Sequence, residues 1–152
     1  MQYPKIVVAL CFAACVSGAL AQTKEQTVQY NALGAAAVRV VRDKGFDDPD
    51  SFRVTAAWLV RAHDPDDPNL FWVCFVGRAK NEMGGYVKVL AEAEVSLSKG
   101  TAVFIMSGAS DGENAKYIRQ SCTSDLVANG NRVFADITDA AKAALKADLD
   151  KQ

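Results

Sequence analysis

The order of hydrophobic periods along this chain predicts an α+β fold: an N-terminal helix packed on an antiparallel sheet of about four strands, then a C-terminal helix. Three observations carry this. An Ala-rich stretch from Thr23 to about Lys44 repeats apolar residues at helical spacing. Four strand-like runs then follow one another through short, turn-rich linkers. From Ile137 to Leu149 the composition returns to Ala, Lys and Asp. Strands joined so closely suit antiparallel neighbours, not the crossover helices of a wound parallel sheet.

In the first helix Leu33, Ala36, Ala37, Val40 and Val41 form the apolar stripe. Gly45 stands where a left-handed C-terminal cap is expected. Asp47-Asp48-Pro49-Asp50-Ser51 reads as a turn, since Pro49 disfavours helix at Asp48 and the Asp and Ser side chains bond local backbone. Phe52 to Val60 alternates, with Phe52, Val54, Ala56, Trp58 and Val60 expected on one face. Leu70 to Val76 is apolar throughout, the mark of a central strand covered on both sides. Tyr86 to Leu97 alternates again: Val87, Val89, Ala91, Ala93, Val95 and Leu97 face one way, Tyr86, Lys88, Leu90, Glu92 and Glu94 the other. Thr101 to Ser107 is the fourth run, followed by a polar loop from Gly108 to Asn114. Ala115 to Cys122 reads equally as a short helix or a strand. The last helix has Thr138 or Asp136 as its cap, and its stripe is mostly alanine, which favours weak docking.

Ahead of this domain, Met1 to Lys5 carries one positive charge, Ile6 to Val16 is almost wholly apolar, and Ala19-Leu20-Ala21 is a small-x-small site. That order is expected of a secretory signal peptide, residues 1–21, cleaved near Ala21 to leave a single exported domain, residues 22–152, periplasmic or secreted. Phe12-Ala13-Ala14-Cys15 offers a looser alternative, a lipid anchor on Cys15. No later apolar stretch approaches the roughly twenty residues of a membrane span. After cleavage Cys74 and Cys122 form an even pair in an exported chain, and a structural disulfide between them is expected.

Lysine and arginine total 17 against 18 aspartates and glutamates, a balance without the clustered basic face that nucleic acid requires. The lone histidine, His63, sits in His63-Asp64-Pro65-Asp66-Asp67-Pro68-Asn69, a loop with two prolines and no glycine, unlike a calcium-binding loop. With that histidine in a turn, nucleophilic catalysis lacks its usual base. Glu92 and Glu94 share a strand face, as an acid/base pair would, but the pattern reads as the solvent face of an amphipathic strand. No catalytic residue, metal site or cofactor is expected.

Cys74-Phe75-Val76-Gly77-Arg78-Ala79-Lys80-Asn81-Glu82-Met83-Gly84-Gly85-Tyr86 is the most distinctive segment, a strand, tight turn and strand. It resembles a signature of small exported bacterial proteins of unknown function, Cys-Gly-x-Val-Asn-Ala-Lys-Asn-x-x-Gly-Gly-Tyr. Cys74, Ala79, Lys80, Asn81, Gly84, Gly85 and Tyr86 match, as do Asp48, Pro49 and Ser51 upstream; Phe75, Gly77 and Arg78 depart from it. The resemblance implies a helix-plus-sheet exported domain and brings no activity. The hairpin either fixes strand register alone or presents Arg78, Lys80, Asn81 and Tyr86 as a polar binding platform. The functional expectation is a non-catalytic exported domain that binds an envelope protein or glycan. The alternative is a secreted inhibitor of a lysozyme or protease, inserting Gly108–Asn114 into a cleft.

Overall fold

A computed structural model describes residues 23–62, 64–124 and 133–151. The expected leader and cleavage site, Cys15 and His63 lie outside the described residues. The order is helix α1 (Lys24–Gly45), a 3-10 turn (Pro49–Ser51), strands β1 (Arg53–Arg61), β2 (Leu70–Lys80), β3 (Tyr86–Ser96) and β4 (Thr101–Ala109), helix α2 (Glu113–Arg119), strand β5 (Val133–Asp136) and helix α3 (Thr138–Leu149). The expected α+β architecture is present. The sheet is antiparallel throughout, in the order β4-β3-β2-β1-β5, so the all-apolar β2 is indeed central. The fifth strand escaped the sequence reading because four residues give no usable alternation.

Helix α1 starts at a capping box: the Gln26 amide donates to Thr23 Oγ1 at 3.2 Å and the Thr23 amide to Gln26 Oε1 at 3.0 Å. Its buried stripe is Tyr30, Leu33, Gly34, Ala37, Val38 and Val41, with Ala36 and Val40 at its margin. Gly45 is not a left-handed cap. It belongs to the helix, and its carbonyl accepts from Ser107 Oγ at 2.6 Å, so its missing side chain lets the helix end lie against β4. The 3-10 turn is tied down by the buried Ser51, whose hydroxyl donates to the Asp48 carbonyl and accepts from the Lys80 amide. Phe46 and Phe52 stack across it, 4.5 Å between centroids.

On the first face of the sheet α1 and α3 cover Phe71, Val73 and Phe75 of β2 and Val89, Ala91, Ala93 and Val95 of β3. Helix α3 docks firmly despite its alanines. Ala141, Ala144 and Leu145 are buried, and Asp148 reaches Arg39 at 2.9 Å and Arg42 at 3.1 Å on α1. The Arg39 guanidinium, foremost, holds the Asp148 carboxyl below the usual range. Its entry is set by Asp136, which accepts from the Thr138 amide, and by the Thr138 hydroxyl, which bonds both backbone groups of Ala57.

One strand differs in phase. A bulge between Val54 and Ala56 puts Phe52 and Val54 on the first face with Ala57 and Leu59, and sends Trp58 and Val60 to the second. An inserted residue reverses every later side chain, which alternation alone does not reveal. Gly77 makes the bulge feasible: a Cβ there would stand 2.5 Å from the Arg53 carbonyl oxygen and 2.7 Å from Phe52. Replacing Gly77 with Ala is expected to lower stability in urea titration by about 1–3 kcal/mol, the usual range for overpacking. An unchanged midpoint would mean that the bulge tolerates a side chain.

Candidate functional site

The second face holds what chemistry there is. Helix α2 and the π-helical turn after it (Gln120–Ser124) lie over this face, burying Ala115, Ile118 and Cys122 against Val60, Cys74 and Leu90. The ambiguous segment is therefore a helix. Cys74 and Cys122 form the expected disulfide, Cα atoms 5.8 Å apart. A second tether runs beside it, from the Trp58 indole N–H to the Cys122 carbonyl at 3.3 Å. Trp58, Trp72, Val76 and Met106 pack around this patch and stay partly exposed.

Between α2 and the sheet opens a cleft of about 230 Å³, bordered by Trp58, Val76, Lys88, Leu90, Ile118, Arg119 and the disulfide. Its walls are apolar, and its charged groups are Lys88 and Arg119. The Arg119 guanidinium is bonded to the Ser110 carbonyl. Lys88 lies opposite Arg78 across β2–β3, and Arg78 lies opposite Arg53 across β1–β2, so three exposed cations form a row on this face. Among the described residues none of the three is in an ion pair. Like charges set directly opposite one another oppose sheet formation.

The four residues expected to form a platform are divided by the structure. Arg78 joins the cationic row. Lys80 pairs with Asp48 at 3.6 Å and, with Asn81, borders a separate groove of about 430 Å³ beside the end of α1. Asn81 is spent on the turn: its side-chain oxygen accepts from the Gly85 amide, its amide donates to the Gly85 carbonyl, and its carbonyl accepts from Gly84. Gly84 has φ +78°, which explains its identity. Tyr86 lies opposite Lys80 and is partly exposed. Sequence reasoning missed Arg53, Lys88, Trp58 and Arg119. Lys88 was visible as the next residue on the Arg78 face, whereas Arg53 and Trp58 depend on the bulge.

Glu92 overturns the reading of its strand face as solvated. It lies between Cys74 and Met106, only 2% exposed, with Oε2 lacking any hydrogen-bond partner. Burial pushes its carboxyl up to about 7, opposed in part by a hydrogen bond from Ser121. Glu94, its would-be partner in acid/base chemistry, is only partly covered. The segment Gly108–Asn114 is also not a free loop. Gly108 and Ala109 belong to β4 and Asn114 to α2, whose side chain donates to the Ser107 carbonyl at 2.9 Å, leaving a three-residue turn. In the β1–β2 connection Asp67 is occupied by Ser96, Ser98 and the Asn69 amide. Among the described residues no group of three or more His, Cys, Asp or Glu is placed to hold a metal ion, and no helix is long and apolar enough to cross a membrane.

No family model matches the chain, and neither the curated proteins nor the solved structures hold a match to it.

The buried carboxyl gives a signed pH dependence. Its folded value is raised, so between an ordinary 4.5 and about 7 the folded protein keeps a proton that the unfolded chain releases. This contribution to stability is full below the lower value, declines as pH rises to about 7 and is then constant, a total near 3 kcal/mol. Asp67, Asp136 and Asp148, all lowered, act in the opposite sense and only in the acid range. Glu92→Gln, which stays neutral, is expected to flatten the decline between pH 5 and 7 in denaturant titrations. An identical slope in the variant would place the titrating group elsewhere.

Proposed function

We propose that this chain is a non-catalytic exported domain, residues 22–152 once a leader of residues 1–21 is removed, that binds an anionic component of the bacterial envelope. The observation that carries this reading is the row Arg53, Arg78 and Lys88, three exposed cations set side by side on adjacent strands with no carboxylate paired to them among the described residues, Arg53 donating to the Asp50 and Phe52 carbonyls. Such a row costs sheet stability through mutual repulsion, and an anionic protein or glycan laid across it relieves that cost. The disulfide supports an oxidising compartment, since such bridges persist in the periplasm and outside the cell. The sheet presents the row from rigid strands, where strand register fixes the spacing of the charges. The partial match to the exported-protein signature supports the same setting, its Asn81, Gly84 and Gly85 building the hairpin that ends beside the row.

The test is capture from an envelope extract on immobilised oxidised protein, comparing the native chain with Arg78→Glu/Lys88→Glu. A partner retained by the native chain, released as salt rises and lost from the variant is the expected result. A partner held equally by both proteins would remove the cationic row from recognition. Intact mass of the protein recovered from its source is expected to correspond to Gln22–Gln152 with one disulfide; a mass beginning at Cys15 with an added lipid would instead give a membrane-tethered form.

A further inference from the structure

The cleft beside α2 defines its occupant more narrowly than the cationic row does. Its walls are the branched aliphatic side chains of Val76, Leu90 and Ile118, the Trp58 ring and the disulfide. The Trp58 N–H is already given to the Cys122 carbonyl, so the indole offers an apolar surface there. At about 230 Å³ the space falls below the range of roughly 300–1,000 Å³ typical of pockets for drug-sized molecules. Phe75 also borders the cleft but is buried in the first-face core, so Trp58 is the aromatic side chain of the second face there, and one ring among three aliphatic side chains suits a flexible chain more than a flat ring. Charge is confined to the border, where Lys88 leads on to Arg78 and Arg53 and Arg119 adds its charge while bonded to Ser110. The walls are fixed before any ligand arrives, because the disulfide and the Trp58 hydrogen bond hold α2 to the strands beneath it.

We infer that the cleft binds the single alkyl chain of a fatty-acid carboxylate, tail against Trp58, Val76, Leu90 and Ile118 and carboxylate at Lys88 and Arg78. This rests on the proposed recognition of anions at the cationic row and adds to the protein or glycan bound there a small ligand of another class: an apolar chain ending in a negative charge. Tail burial supplies affinity through area removed from water, and the cations select the sign of the head.

The chain has two tryptophans, so Trp72→Phe leaves Trp58 as the sole indole. Decanoate titrated into the oxidised Trp72→Phe protein is expected to give a saturable change in Trp58 emission, with decyltrimethylammonium giving none. Adding Lys88→Glu should weaken decanoate binding roughly tenfold or more, as expected for a lost charge-assisted hydrogen bond. Val76→Trp should abolish it by filling the cleft; because that variant changes the emission, its binding is read by calorimetry. Ile118→Phe serves if Val76→Trp fails to fold. A response to the cationic amphiphile equal to that of decanoate, binding of phenylacetate in place of decanoate, no saturable response, or decanoate binding that survives the filled cleft would each overturn the inference. Capture of the envelope partner by the filled-cleft variant keeps the two claims separable: if it still retains an anionic partner while decanoate never binds, the cationic row stands and the chain-binding cleft falls.

Discussion

The Cys74–Cys122 bridge joins the central strand of the sheet to a helix too short to hold its own place. Helix α2 has seven residues, well below the length of about 12–15 at which an isolated helix becomes even marginally stable in water. It buries only Ala115 and Ile118, and Cys122 follows in the π-helical turn that continues it. Joining residues 48 apart, the bridge removes roughly 4 kcal/mol of loop entropy from the unfolded chain. It does so at the point where α2 meets the strands, and the Trp58 indole bond to the Cys122 carbonyl works beside it. The cleft, the covered carboxyl of Glu92 and the bordering position of Lys88 all follow from α2 being held there.

The two faces of the sheet consequently differ in character. The first is a conventional core in which two helices cover branched and aromatic side chains, with the α3–α1 contact closed by Asp148 between two arginines. The second is thinly covered, leaves two tryptophans partly exposed, encloses a carboxyl with an unsatisfied oxygen and sets three exposed cations, Arg53, Arg78 and Lys88, side by side. Natural sequences ordinarily avoid such features when stability alone is at stake, since each costs free energy that an apolar substitution would recover. Their concentration on one face is the physical reason for placing recognition there.

What could be read from the sequence depended on how local each determinant is. Helix α1 was legible because its apolar stripe lies within its own residues, though its end was misjudged at Gly45, and β2 because seven consecutive apolar residues have few other uses. The hairpin turn was legible through Asn81, Gly84 and Gly85, whose roles are local conformational ones. The phase of β1 was not, because the bulge after Val54 depends on Gly77 in another strand yielding space to the Arg53 carbonyl. Burial of Glu92 was not, because the covering comes from Ser121 and Cys122, some thirty residues later in the chain, and from Cys74 in the neighbouring strand. The residues of the expected platform are divided for the same reason. Arg78 lies in the cationic row through its strand face, while Asn81 is consumed by the turn and Lys80 is drawn to Asp48 by a fold-level contact.

The most direct test of this account is amide hydrogen exchange across residues 113–122, measured on the oxidised protein and again after selective reduction. The account predicts that reduction strips protection from α2 while the β2–β3 ladder and α1 keep theirs, since the first-face core does not depend on the bridge. Protection of α2 that survives reduction would contradict the claim that the disulfide holds the second face together.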